Sequence, residues 1–94
     1  MTTKEKQHLH IKVTGRVQSV NYRRHISVQA MGLGITGYIQ NNPDGSVTIE
    51  AEGDHDSLRE LVDTCSTGSP KARIERVEVE EGGIQHFDDF RVRT

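Results

Sequence analysis

Two stretches of the chain carry apolar residues at helical spacing, and each is bracketed by segments that alternate with a period of two. Tyr22, Ile26, Ala30 and Leu33 form one stripe, starting near Asn21, itself a candidate cap, and stopped at Gly32 and Gly34. Leu58, Leu61, Val62 and Cys65, at i, i+3, i+4 and i+7, form the other, opened by Asp54 as cap and closed by Gly68-Ser69-Pro70. Ahead of the first stripe, Leu9, Ile11 and Val13 alternate with His8, His10 and Lys12. Between the stripes, Ile35 to Asn41 reads as one strand, and Val47, Ile49 and Ala51 set against Thr48, Glu50 and Glu52 read as another. Asn42-Pro43-Asp44-Gly45 places proline and glycine where a hairpin turn joining these two needs them. After the second stripe, Ala72 to Glu81 reads as a strand whose phase shifts near Glu75-Arg76, which predicts a bulge. A last short strand, Phe87 to Arg93, is expected to turn Phe90 and Val92 inward.

The order strand, helix, strand, strand, helix, strand, with a short strand appended, predicts an α+β fold: a ferredoxin-like βαββαβ sandwich with a mostly antiparallel sheet and both helices on one face. At 94 residues the chain fits one domain over residues 7–94, preceded by a flexible tail over residues 1–6. A net charge of −2 argues against strong nonspecific affinity for nucleic acid or an anionic membrane, so any anion binding must be local. Cys65 is the only cysteine, and its place in the helical stripe makes it a packing residue rather than a nucleophile. A chain without an intramolecular disulfide, a signal-length apolar run or a membrane span is expected to be soluble and cytoplasmic; a monomer is expected, although none of these features bears on oligomeric state. His8 and His10 share a strand face as a metal pair would, but no third ligand accompanies them, so a solvated strand face is expected.

The local anion site falls on Gly15-Arg16-Val17-Gln18-Ser19-Val20-Asn21-Tyr22-Arg23, where the first strand turns into the first helix. Consecutive backbone N–H groups at such a turn can converge as a nest, and the helix start adds unpaired donors and partial positive charge. An arginine there supplies a planar fork for phosphate or carboxylate. The competing reading is that Arg16, Arg23 and Arg24 are solvated surface charges. Right-handed crossovers make strands one and two parallel, with strand three between them, so this loop and Asn41 end at one sheet edge, two strand spacings or about 10 Å apart.

The same stretch resembles the acylphosphatase signature G-x-V-Q-G-V-x-F-R, and Gly37-Tyr38-Ile39-Gln40-Asn41-Asn42-Pro43-Asp44-Gly45-Ser46-Val47 resembles that family's second motif, G-x-V-x-N-x-x-D-G-x-V. Gly32-Leu33, Ala51-Glu52-Gly53 and Gly68-Ser69-Pro70 extend the resemblance over nearly the whole chain. It implies hydrolysis of the carboxyl-phosphate bond of small acyl phosphates, with neither metal nor cofactor. Arg23 then corresponds to the substrate-binding arginine and Asn41 to the asparagine that positions water. Gln18, Ser19, Val20, Asn21 and Tyr22 would form the backbone cradle for the phosphoryl oxygens. Ser19 stands where the family usually has glycine; Tyr22 and Tyr38 replace phenylalanine and tryptophan as packing changes, and Arg24 is given no catalytic role.

The chemistry is consistent with those roles. A carboxylate of low pKa is already a good leaving group, so the site mainly has to orient water and stabilise charge on the equatorial oxygens. Asn41 can accept a water proton in a hydrogen bond but cannot remove it, which leaves the substrate phosphate as first proton acceptor. A catalytically impaired relative with an anion-binding or interaction role is the alternative, resting on Ser19. An RNA-binding module of the same shape lacks support, because Tyr22, Tyr38, Phe87 and Phe90 do not make an aromatic-rich strand.

Overall fold

The structure, a computed structural model, describes residues 6–18, 21–68 and 71–93. Seven elements follow in chain order: β1 (Gln7–Arg16), α1 (Tyr22–Gly32), β2 (Thr36–Asn41), β3 (Val47–Gly53), α2 (His55–Thr67), β4 (Arg73–Gly82) and β5 (Phe90–Arg93). They build a five-stranded sheet in the order β4-β1-β3-β2-β5, antiparallel throughout except for the β2–β5 pair. This is the expected ferredoxin-like α+β topology, with β1 and β2 parallel on either side of β3. Residues 1–5 of the expected tail lie outside the described residues, as do Ser69 and Pro70 of the break after α2.

Alternation along the strands sends Ile11, Val13, Ile39, Val47, Ile49 and Ala51 to the face covered by the helices. There they meet Tyr22, Ile26 and Ala30 of α1 and Leu58, Leu61 and Cys65 of α2, all essentially without solvent exposure. Helix α1 ends in a Schellman motif: the Ile35 amide donates to the Ala30 carbonyl at 2.9 Å and the Gly34 amide to Met31 at 3.1 Å. Helix α2 begins as expected, with the Asp54 carboxylate accepting from the Ser57 amide at 2.9 Å. The β1–β4 register slips between Thr14, opposite Arg76, and Gly15, opposite Ile74, so Glu75 is the extra residue of the expected bulge.

Two close approaches of backbone to backbone decide where glycine must stand. A Cβ on Gly15 would lie 2.1 Å from the Arg73 carbonyl oxygen, and one on Gly37 would lie 1.8 Å from that of Glu50. Both glycines also have positive φ, +132° and +138°.

Three expectations need correction. The face of β1 that carries His8 and His10 is not solvated throughout: His8 is only 3 % exposed, because residues 83–89 cross over it, while the side chains of His10 and Lys12 stay 43 % and 41 % exposed. The final strand is shorter than expected, and Val92 is 46 % exposed while Phe90 is buried. Residues 87–89 do not pair as strand, since the Phe87 amide donates to the Glu52 carboxylate and only the Asp89 carbonyl, accepting from Gly37, begins the bonding to β2. Asn21 is at the N-cap of α1 by position, yet its side chain makes no capping bond; its backbone is left-handed, φ 61°, a conformation that asparagine tolerates better than most residues.

Candidate active site

The loop between β1 and α1 meets the β2–β3 hairpin at one end of the sheet. Val13, Val47 and Asn41 form a single row across β1, β3 and β2. Arg16 ends β1 three residues beyond that row, paired with Arg73 of β4 and exposed. The hairpin turn is stiffened from within. The Asn42 amide donates to the Ser46 carbonyl at 2.8 Å and the Asn42 side chain to Ser46 Oγ and Thr48 Oγ1 at 2.9 and 2.8 Å. Asp44 accepts from the Ser46 hydroxyl and amide, and these two bonds hold its carboxyl down to about 2, with Lys12 Nζ 3.4 Å away.

Gln18 joins the loop to this turn. Its side-chain amide donates to the carbonyls of both Asn42 and Ser46, each at 2.9 Å. The resemblance assigned Gln18 to a backbone cradle; its visible work is done by the side chain, which fixes the loop relative to the residue following Asn41. Ser19 and Val20, expected in the same cradle, lie outside the described residues.

Arg23 stands in the first turn of α1, where amides without intrahelical partners and the positive end of the helix coincide. Its Nη1 donates to the Arg93 carbonyl at 2.7 Å. Arg93 is the register partner of Gln40 in the parallel β2–β5 pair, so the anchor of Arg23 lies one residue from Asn41. A cleft of about 270 Å³ opens beside Arg23, lined by Val17, Asn21, Tyr22, Arg23, Arg24 and Val92. Among these described residues the only charged side chains are the two arginines, and Val17 and Val92 give an apolar wall. Arg24 itself is exposed, and its side chain, unlike that of Arg23, makes no bond to β5.

Tyr22 contributes packing. It is buried, its hydroxyl donates to the Cys65 carbonyl at 2.9 Å, and burial pushes its pKa far up, which keeps it neutral. Cys65 is fully buried and its thiol is pushed up to about 12 by burial, in keeping with a packing residue. Asn41 is different. Its Oδ1 is buried and has no hydrogen-bond partner, a state shared among the described residues only with Thr36 Oγ1. A buried acceptor left unmatched by protein groups is the exception in folded proteins and calls for a partner.

Arg23, Asn21, Tyr22 and Gln18 are therefore brought to one end of the sheet with Asn41, although Asn41 does not line the cleft itself. Among the described residues no group of three or more histidine, cysteine or acidic side chains is arranged to hold a metal ion. No helix is long and apolar enough to cross a membrane.

Comparison with known proteins finds matches over nearly the whole chain. The acylphosphatase family model matches residues 9–92. An acylphosphatase of Caldanaerobacter subterraneus subsp. tengcongensis is 42 % identical over 90 residues, covering 93 % of this chain and 98 % of its own. One from Salinibacter ruber is 38 % identical over 94 residues, covering 99 % of both. The solved structure of an acylphosphatase from Coxiella burnetii superposes with a TM-score of 0.92 at 35 % identity, covering 99 % of this chain and 100 % of that one.

Proposed function

Because the chain belongs to the acylphosphatase family, and is on that kinship an acylphosphatase, we propose that it hydrolyses small acyl phosphates by holding the phosphoryl group at Arg23 and placing the attacking water at Asn41. The observation that carries this reading is the tether of Arg23 to the carbonyl of Arg93, the register partner of Gln40, the residue before Asn41.

In this reading the phosphoryl oxygens take hydrogen bonds from the Arg23 guanidinium and from backbone amides at the start of α1, with Asn21 and Tyr22 on the cleft wall. These donors are fixed before substrate arrives, so they stabilise the charge that spreads over the equatorial oxygens without reorganising during the reaction. Asn41 Oδ1 accepts a hydrogen bond from the attacking water and turns a lone pair of that water toward phosphorus. Water adds to phosphorus as the bond to the acyl oxygen breaks, and the products are a carboxylate and inorganic phosphate. Asn41 takes no proton; the proton leaving the water goes to a phosphoryl oxygen. The apolar wall of Val17 and Val92 is open to an acyl group of modest size.

The test is phosphate release from benzoyl phosphate by the wild-type protein and Arg23→Ala, each with and without a chelator. The reading expects turnover in the wild type that the chelator does not change, and loss of activity in Arg23→Ala. Turnover undiminished in Arg23→Ala would overturn the role of Arg23, and chelator sensitivity would overturn the metal-free reaction.

A further inference from the structure

On the face of the sheet away from the helices lies a buried polar cluster that the reaction does not use. Glu52 is 0 % exposed, and His8 sits beside it with Nδ1 2.8 Å from Glu52 Oε2 and Nε2 2.6 Å from Glu50 Oε1. His10 Nδ1 bonds the other oxygen of Glu50. Glu52 also accepts from the amides of Gln85 and Phe87 in the crossover that joins β4 to β5. Phe87 packs on the His8 ring at 6.0 Å between centroids and meets the Tyr38 ring edge-on at 5.8 Å.

This crossover spans the full width of the sheet. β4 and β5 are opposite edges of the sheet, four strand spacings or about 19 Å apart. From Gly82 to Phe90 the chain can reach about 26–29 Å, and it turns on the way at His86, φ 60°, so the crossover has only modest slack. It passes the end of the sheet remote from the cleft, where Gly82 faces His8 and Phe90 faces Gly37. β5 then runs back toward the cleft as four residues and finishes at Arg93, whose guanidinium lies 3.7 Å from the centre of the Tyr38 ring and whose carbonyl accepts from Arg23. The path from Glu52 to Arg23 is therefore the pinned Phe87 amide, the two residues that follow it and one short strand.

We propose that Glu52 is a positioning residue for Arg23: its carboxylate pins the crossover by the amides of Gln85 and Phe87, and the pinned crossover sets where β5 presents the Arg93 carbonyl to the guanidinium. The proposal rests on Arg23 holding the phosphoryl group. His8 and Glu50 have a supporting part, since they face Glu52 and keep its carboxylate in place. A burial-only role for the cluster would tie Glu52 to stability alone; the two amide bonds to the crossover tie it to the site as well.

The experiment is direct titration of the full chain with inorganic phosphate for the wild type, Glu52→Gln, Gln85→Pro, Arg23→Ala and the double variant Arg23→Ala/Gln85→Pro. Gln85→Pro acts from an exposed position: it removes one amide donor and sets a ring carbon against the Glu52 carboxylate while leaving the side chains of Glu52, His8 and Glu50 unaltered, so it carries the test if Glu52→Gln does not fold. Val77→Ala, on β4 at the far edge, supplies a destabilised control. The expected result is phosphate binding weakened by about two- to thirtyfold in Glu52→Gln and Gln85→Pro, the range seen for residues that act on a site without touching its ligand. Val77→Ala should bind as the wild type does, and Gln85→Pro should add nothing in the Arg23→Ala background. Weakening in Arg23→Ala with none in Glu52→Gln or Gln85→Pro would overturn the positioning role alone. Unchanged binding in Arg23→Ala would overturn the role of Arg23, and the positioning role with it.

Discussion

Replacing Gln18 by alanine removes both hydrogen bonds that join the loop after β1 to the β2–β3 turn, those to the Asn42 and Ser46 carbonyls at 2.9 Å. A typical intramolecular hydrogen bond contributes about 0.5–1.5 kcal/mol net, so two give about 1–3 kcal/mol. Both are only partly buried, and the freed carbonyls can turn to water, which places the loss in the lower part of that range, about 1–2 kcal/mol. For a domain of this size that lowers the melting temperature by about 5–15 °C. Gln18→Glu should cost more than Gln18→Ala, because a carboxylate would face two carbonyl oxygens with no proton to offer either. Equilibrium urea unfolding followed by far-ultraviolet circular dichroism gives the stabilities, and benzoyl phosphate turnover on the same samples gives the activity. Turnover should fall in both variants, since the loop loses its fixed relation to Asn41. A Gln18→Glu variant as stable and as active as wild type would refute the reasoning.

Gly37→Ala should destabilise by more than the roughly 1–3 kcal/mol of backbone strain alone, since its Cβ would lie 1.8 Å from the Glu50 carbonyl oxygen and force β2 from β3; thermal melting measures it. Stability should also depend on pH through the buried cluster. Burial works against charge on both His8 and Glu52, but Glu50 and Glu52 outweigh it at His8 and raise its pKa above 6.5. The Gln85 amide, His8 and the Phe87 amide outweigh it at Glu52 and lower its pKa below 4.5. The His8 contribution is thus whole below pH 6.5 and lost as pH rises through the raised value. The Glu52 contribution is whole above pH 4.5 and lost as pH falls through the lowered one. The cluster, in which His10 and Glu50 also face His8, should stabilise most between about pH 4.5 and 6.5, and His8→Gln should abolish the alkaline limb in urea midpoints measured against pH. Cys65, fully buried with its thiol at about 12, should react with a thiol reagent only at the rate of global unfolding.

Much of the fold was legible because its signals are local and periodic. The stripes of α1 and α2, the Asn42–Gly45 turn and the bulge at Glu75 each lie within one or two turns of chain, and the structure has them where the pattern puts them. Position 23 and position 41 were legible as a pair through topology and through two long motifs. What the sequence did not disclose depends on a crossover with no period of its own. His8 looks like a wet strand residue until residues 83–89 close over it, and nothing in the alternation of β1 announces that covering. Val92 keeps the inward phase of Phe90, yet β5 is an edge strand of four residues and its end opens on the cleft rather than on the core. Gln18 was read by its backbone, while its side chain reaches carbonyls 24 and 28 residues away, a pairing that only the folded hairpin creates. Asn21 has the residue type of a capping side chain but serves through its left-handed backbone.

The division of labour between Arg23 and Asn41 is tested most directly by steady-state hydrolysis of benzoyl phosphate, with inorganic phosphate as competitive inhibitor, in Asn41→Ala. A residue that orients only the water acts in the transition state and not in phosphate binding. Turnover should therefore fall by about a hundredfold or more, with the inhibition constant of phosphate unchanged. Turnover equal to that of the wild type, or a loss of phosphate affinity as large as the loss of turnover, would contradict it.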